Sequence, residues 1–298
     1  MTHWSIANVP DQTGRTAIVT GANTGIGFET ARMLAQKGAD VVLACRSADK
    51  GEAAVERLRA LALAGTATFA PLDLADLDSV AEFATRYVDS HDRLDLLVNN
   101  AGIMRTPFGR TKQGFELQMG TNHLGHFALT QRLLAHLENT KGSRVVVVSS
   151  LMHRFGKLHL EDLNWERRAY DTGAAYSESK LANLMFSLEL QRRLAARGSA
   201  ITVVAAHPGV TNTELTRSMG SIVTRINRLF TSDVNIGAMP SVRAATDAAA
   251  SGGTYFGPSL LFETRGPASE AKISSRAKDE VMQKQLFDES ERLTGLAF

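Results

Sequence analysis

The sequence predicts an α/β fold: a doubly wound parallel sheet with helices on both faces, in one domain spanning residues 1–298. Three observations carry that prediction. Short β-branched runs are apolar at successive positions, longer helical patterns separate them, and a glycine-rich turn directly follows the first run. Strands apolar on both faces belong to a sheet covered on both sides. Right-handed crossovers between them give the doubly wound arrangement.

Thr16–Thr20 (TAIVT) is the first strand, and Ile26–Lys37 is the helix after it, closed by Gly38. Asp40–Ala44 (DVVLA) is the second strand and Asp49–Ala64 the second helix, rich in Ala, Glu, Arg and Leu. Thr66–Ala70 is the third strand, followed by a helix over Ser79–Ser90 with Ser79 in its early turn. Leu94–Asn99 (LDLLVN), Arg144–Ser149 (RVVVVS) and Ile201–Ala206 (ITVVAA) are the fourth, fifth and sixth strands. The stretch Val210–Pro240 has weak periodicity. Following the sixth strand, it falls at the carboxyl edge of the sheet, where ligands bind in such folds. It reads as a substrate-covering lobe at about 210–240, the alternative being a surface helix pair.

Hydrophobic residues make up 44% of the 298, enough for a sizeable core. Lys+Arg 33 against Asp+Glu 31, with no long basic run, argues against a nucleic-acid binder. Cys45 is the only cysteine, which excludes an intrachain disulfide and a cysteine-based metal cluster. No unbroken apolar run is long enough for a membrane span, and Met1–Arg15 lacks the apolar core of a signal peptide. A soluble cytoplasmic protein is expected.

The turn after the first strand reads Thr20-Gly21-Ala22-Asn23-Thr24-Gly25-Ile26-Gly27. Its glycines permit a tight turn and close backbone approach to a pyrophosphate, and the following helix offers free N–H groups and a positive dipole end. A glycine trio alone is a weak signal; its place between strand and helix gives it weight. At the end of the second strand, where an acidic residue holds the ribose of NAD, stand Cys45, Arg46 and Ser47. A guanidinium pairs with a 2′-phosphate, which favours NADP(H) and leaves NAD(H) as the lesser cofactor. The bland alternative is a solvated strand-end arginine. Asp73 and Leu74, after the third strand, are placed to meet the adenine edge.

Asn99-Asn100-Ala101-Gly102 ends the fourth strand, and Tyr176 and Lys180 stand four apart on a helix that continues through Leu181–Arg197, so they share one face. With TGANTGIG, the Asp73-Leu74 pair, Thr121-Asn122-His123, the Ser149-Ser150 pair and His207-Pro208-Gly209 in this order, the chain resembles the short-chain dehydrogenases/reductases over nearly its whole length. The phrases ACRS, NHLGHF and SKLANLMF are most similar to the retinol-dehydrogenase-like branch and its bacterial relatives.

The resemblance implies a Rossmann fold and hydride transfer between the nicotinamide and a carbonyl or alcohol. It implies Tyr176 as the proton donor and acceptor. A phenol ionises near pH 10, so work near neutrality asks for about 4 kcal/mol in favour of the phenolate, much of it from Lys180 as a nearby cation. Lys180 also binds the nicotinamide ribose, Ser150 (preferred over Ser149) bonds the substrate oxygen, and Asn122 supports a water relay to Lys180 or else only bends its helix. The cofactor residues implied are Gly21, Asn23, Thr24, Gly25, Ile26, Gly27, Arg46, Ser47, Asp73, Leu74, Asn99, Ala101, Gly102, Tyr176, Lys180, Pro208, Gly209, Val210 and Thr213.

One departure stands out: Ser150 and Tyr176 are 26 positions apart, wider than in many members, and the insert carries His153, Phe155 and Trp165. It is expected to form part of the pocket wall, with Ile103, Met104, Met152, Phe155 and the apolar members of Val210–Phe230 lining a site for an apolar ketone, aldehyde or alcohol. His123 and His126 form an H-x-x-H, but no acidic residue completes a metal set. No G-x-S-x-G elbow supports a serine hydrolase. A catalytically silent NADP(H)-binding sensor or scaffold is the alternative from another class; the intact Asn122, Ser150, Tyr176 and Lys180 argue against it. The Ala/Leu/Met face of Ser179–Arg197 either pairs with a second subunit, giving a homodimer or homotetramer, or packs on the sheet.

Overall fold

The computed structural model describes residues 4–210 and 233–298. One eight-stranded sheet organises them, in the order β3-β2-β1-β4-β5-β6-β7-β8. The strands are β1 (Thr16–Thr20), β2 (Asp40–Cys45), β3 (Ala67–Pro71), β4 (Leu96–Asn99), β5 (Arg144–Val148), β6 (Thr202–Ala206), β7 (Tyr255–Leu260) and β8 (Arg265–Glu270). The first seven run parallel and β8 returns antiparallel to β7. The chain order turns back between β1 and β4, which opens a crevice at their carboxyl ends.

The helices are α1 (Gly25–Gln36), α2 (Ala48–Arg59), α3 (Leu77–Ser90), the short α4 (Leu117–Met119), α5 (Gly125–Glu138), α6 (Thr172–Ala196), α7 (Val234–Thr246) and α8 (Glu280–Thr294). Two apolar layers sandwich the sheet, one including Ile18, Leu97, Val145 and Phe127, the other Val19, Leu43, Val98 and Leu34. These strand residues alternate between layers, so each strand feeds both cores.

The predicted strands and helices appear, with shifted ends. The second helix stops at Arg59 rather than Ala64 because the chain must turn back beneath Ala39. A Cβ on Gly65 would lie 2.0 Å from the Ala39 carbonyl oxygen, and Ala62 already adopts φ +45°. The third helix starts two residues before Ser79, capped by Asp76, while Ser79 Oγ accepts from Asp73 N at 3.0 Å.

The expected lobe at 210–240 lies mostly outside the described residues, as does Thr213. Its last part belongs to α7, whose Ala238 and Val242 pack with Ile26, Met33 and Val9 beside α1.

Helix α6 explains the Tyr-Lys spacing. Asp171 caps its start by accepting from Ala174 N at 2.7 Å, and Gly198, at φ +74°, lies just past its end. It is buried on most sides because β5 and β6 cover one face and α8 another. Phe186 meets Phe287 of α8, and Arg193 stacks over the same ring while pairing with Asp288 at 2.5 Å. Much of the face considered for a second subunit is therefore occupied by the chain's own C-terminal helix.

Candidate active site

A cleft of about 640 Å³ follows the carboxyl ends of the parallel strands. Gly21, Asn23, Thr24, Gly25, Ile26 and Gly27 line one end. A Cβ on Gly21 would lie 2.9 Å from Ala101 Cα, and one on Gly27 would lie 2.4 Å from Asn100 Nδ2. Those two glycines let the turn seat against the loop after β4. Thr24 is the N-cap of α1 but its side chain caps nothing, so the first-turn N–H groups and the positive helix end are left for a ligand. That donor set fits a pyrophosphate.

Ala44, Cys45, Arg46, Leu72, Asp73 and Leu74 continue the wall past the ends of β2 and β3, where the adenosine was expected. Arg46 is exposed at the end of β2, and burial pushes the Cys45 thiol up to about 11, which leaves it inert. Ser47 does not line the cleft; it caps α2, its Oγ accepting from Lys50 N at 3.4 Å.

Asn99 and Asn100 divide unexpectedly. Asn99, expected at the cofactor, is fully buried on the other face and donates from Nδ2 to Thr130 Oγ1 at 2.9 Å. Asn100 lines the cleft and donates from Nδ2 to Thr20 O at 2.7 Å. Neighbours at a strand end point to opposite faces, so only one of the pair reaches the cleft. Thr20 Oγ1 accepts from the N–H groups of Asn100 and Ala101, both at 2.9 Å, and meets His126 Nε2 at 2.9 Å. His126 Nδ1 is 2.9 Å from the Asn122 carbonyl, so its proton sits on Nδ1 and Nε2 accepts from Thr20. Thr20 and His126 thus tie the glycine turn to the Asn122 turn, a link the sequence reading missed. Burial holds His126 down to about 3, so the ring is neutral.

At the far end the cleft is lined by Ser149, Ser150, Tyr176 and Lys180, with Gly102, Ile103 and Met104 opposite and Pro208, Gly209 and Val210 closing it. Ser150, two residues past the end of β5, caps a 3-10 turn over Leu151–Arg154, its Oγ accepting from Met152 N at 3.2 Å. Ser149 instead donates to the Lys180 carbonyl at 2.7 Å, which leaves Ser150 as the serine beside Tyr176. Burial pushes the Tyr176 phenol up, and its side-chain hydrogen bond with Ser150 pulls it back down. Burial alone lowers Lys180 to about 8. Lys180 Nζ donates to Val148 O at 3.1 Å and lies 5.9 Å from the centre of the Tyr176 ring. In the cleft as it stands, burial and Ser150 set the shift of the phenol.

Asn122 lies one layer behind, in a π-turn over Gly120–Leu124. Its Oδ1 accepts from Ile103 N at 2.8 Å, and its Nδ2 donates to Ile103 O at 2.9 Å and Ser179 Oγ at 3.0 Å. A Cβ on Gly102 would come 3.2 Å from Lys180 Nζ and 3.3 Å from Asn122 Oδ1, so the two side chains converge on that glycine.

Of the expected apolar lining, Ile103, Met104 and Met152 are in place. Phe155 is not: it is 72% exposed and faces away. Trp165 is buried in the insert itself, under Arg168 at 3.8 Å from its ring centre. Only Leu151 and Met152 carry the insert's wall, with Gly173 of α6 nearby, because a buried ion cluster of Asp162, Arg168 and Glu178 folds the rest away.

A dinucleotide-shaped cleft ending in a serine, a tyrosine and a lysine on one face defines a class of nicotinamide-dependent oxidoreductase. The short chain dehydrogenase family profile matches residues 15–222, and the chain belongs to that family, in its retinol-dehydrogenase-like branch. It is 43% identical over 302 residues to human retinol dehydrogenase 13, covering 98% of this chain and 87% of that protein. Mouse retinol dehydrogenase 11 is 42% identical over 288 residues, covering 95% and 87%. Among solved structures, an uncharacterised protein from Mycobacterium paratuberculosis is similar with a TM-score of 0.84 and 43% identity, covering 100% of this chain and 99% of that one. A short chain dehydrogenase from Burkholderia cenocepacia J2315 in complex with NADP gives a TM-score of 0.66 at 27% identity, covering 82% and 96%. No helix among the described residues is long and apolar enough to cross a membrane.

Proposed function

We propose that this protein is an NADP(H)-dependent oxidoreductase that interconverts an apolar aldehyde or ketone with its alcohol. The observation that carries the reading is Tyr176 beside Ser150 and Lys180, facing the cleft end opposite the uncapped start of α1. The bound nicotinamide supplies the hydride donor or acceptor. The chain's own residues do the rest. Ser150 Oγ orients the substrate oxygen, and Tyr176 Oη delivers a proton to it in reduction and removes one in oxidation. Lys180 holds the ribose and supplies positive charge. Asn122 fixes the Gly102–Ile103 wall with its side chain.

Arg46 favours NADP(H), since β2 ends in a guanidinium where a carboxylate would select the free ribose. Ile103, Met104, Leu151 and Met152 favour an apolar substrate, and the similarity to proteins named retinol dehydrogenase makes a retinoid the first candidate. The test mixes purified protein with NADPH or NADH and follows loss of reduced-nicotinamide absorbance with retinal and a panel of apolar aldehydes and ketones. NADPH-dependent turnover that disappears in Tyr176→Phe is expected. Normal turnover by Tyr176→Phe would remove the proton-transfer role, and binding of neither cofactor would overturn the reading.

A further inference from the structure

We propose that the turn joining β7 to β8, Leu261–Thr264, is a clamp that sets the nicotinamide end of the cleft, with Glu263 as its positioning residue. This rests on the cofactor reading above.

The turn draws attention by its backbone. Leu261, Phe262 and Glu263 take φ of +47°, +56° and +66°, three consecutive non-glycine residues in the left-handed region. L side chains rarely adopt it, and such strain persists only where the surroundings over-determine it. Local bonds hold part of it: Thr264 Oγ1 donates to Leu261 O at 2.7 Å and Thr264 N to the same oxygen at 3.2 Å. The exposed apolar side chains at its tip explain none of it, since Phe262 is 92% exposed.

The remaining constraint runs into the site. Glu263 Oε2 accepts from Arg154 Nη2 at 2.6 Å and faces His207 Nε2 at 3.4 Å, while Oε1 accepts from Lys272 N at 3.1 Å. Arg154 closes the 3-10 turn that Ser150 starts. His207 is fully buried and accepts on Nδ1 from Gly209 N at 3.2 Å, so its proton is on Nε2, facing the carboxylate. Next along the chain, Val210 N donates to Thr264 O at 2.8 Å. A Cβ on Gly209 would stand 2.3 Å from that same Thr264 oxygen, so the turn and the His207–Val210 segment fit only with glycine between them. Gly257 is matched in the same way, since a Cβ there would lie 2.0 Å from His207 Nε2.

The turn therefore joins the loop after β5, which carries Ser150, through Glu263 bonded to Arg154, to the loop after β6, which carries Pro208, Gly209 and Val210, through Val210 N bonded to Thr264 O, with the carboxylate facing His207. Glu263 does not line the cleft. It acts by fixing two walls that face each other across the nicotinamide end, and it is remote from the adenosine end at Arg46.

The experiment measures binding of NADPH, NADH and 2′,5′-ADP to the wild type, Glu263→Ala and Glu263→Gln, with nitrogen NMR of the histidine rings. The expected result for Glu263→Ala is NADPH binding about tenfold weaker, as positioning losses away from the chemistry go, with 2′,5′-ADP binding unchanged. Glu263→Gln keeps size and one acceptor and recovers most of the loss. His207 keeps its proton on Nε2 in both proteins, because Gly209 N fixes the tautomer, and only its Nε2 resonance moves when the facing carboxylate is lost. Unchanged NADPH binding in Glu263→Ala would overturn the clamp while leaving the cofactor reading intact. A parallel loss of 2′,5′-ADP binding would overturn it too, by showing a general structural defect. Should Glu263→Ala fail to fold, Glu263→Gln decides alone: a smaller, NADPH-specific loss supports the clamp, and no loss overturns it. A wild type that binds neither dinucleotide would overturn both readings.

Discussion

Tyr176 and Lys180 stand in an environment that resists charge. Burial raises the phenol and lowers the ammonium to about 8, so the chain holds an unfavourable cation at the site. Lys180 has its folded pKa below its unfolded value, so the unfolded chain binds more protons between pH 8 and 10.5 and stability rises with pH across that window. At neutral pH the penalty is fully present. Lys180→Met should therefore lose turnover yet gain stability, on the order of 3 kcal/mol at most, because Val148 O keeps a donor in Asn183 Nδ2 at 3.3 Å. Thermal melts at pH 7 and pH 9.5 check this, with the gain expected to shrink at the higher pH. At the other end of the cleft, Arg46→Asp should shift preference from NADPH toward NADH by about ten- to a hundredfold, the worth of one charged hydrogen bond. An unchanged ratio of Kd values would remove Arg46 from recognition.

The insert between Ser150 and Tyr176 is held in place as one element. Arg168 holds it, donating to Asp162 Oδ2 at 3.0 Å and to Glu178 Oε1 on α6 at 2.9 Å. Glu178 is 3% exposed, and burial raises its carboxyl while Arg168 pulls it back. Removing the guanidinium strands that carboxylate, so Arg168→Ala should destabilise the fold by about 3 kcal/mol. The double variant Arg168→Met with Glu178→Leu should recover most of that loss. Urea titration distinguishes them, and equal losses in both would show that the pair does not hold the insert. Because Leu151 and Met152 are the insert's part of the cleft wall, Arg168→Ala should also raise KM for substrate more than it lowers kcat.

At the scale of the whole fold, burial lowers four histidines among the described residues: His123 to about 4, His126 to about 3, His153 to about 4, and His207 in the same direction. Each is neutral in the fold, whereas a free imidazole charges near 6.5. The stability they contribute is full above pH 6.5 and falls as pH drops toward the folded values, at about 1.4 kcal/mol per histidine per pH unit. Acid unfolding should therefore set in near pH 5, above the carboxylate range, and His126→Gln should make its onset less steep. Circular dichroism against pH tests this, and a transition confined below pH 4 would show that these rings do not govern it.

Local chemistry decided much of this protein in advance. Short apolar runs marked six strands, most of them buried on both faces, the edge strand β3 being half-exposed. The glycine turn and the four-residue Tyr-Lys spacing marked the two ends of the cleft, because each needs only its own backbone conformation. Tertiary structure decided what depends on contacts between distant segments. Strands β7 and β8 contain Gly257, Pro258, Gly266 and Pro267, and escaped notice because β7 pairs with β6 only through Tyr255 and Phe256 while β8 is an edge strand that tolerates proline. Asn100 rather than Asn99 faces the cleft because of where β4 ends, and Phe155 turns outward because the Arg168 cluster folds the insert. The link from Thr20 through His126 to Asn122 spans about a hundred residues of sequence, and the link from Glu263 to Arg154 spans 109. No local pattern encodes such pairings, because each exists only once the sheet has brought the two loops together.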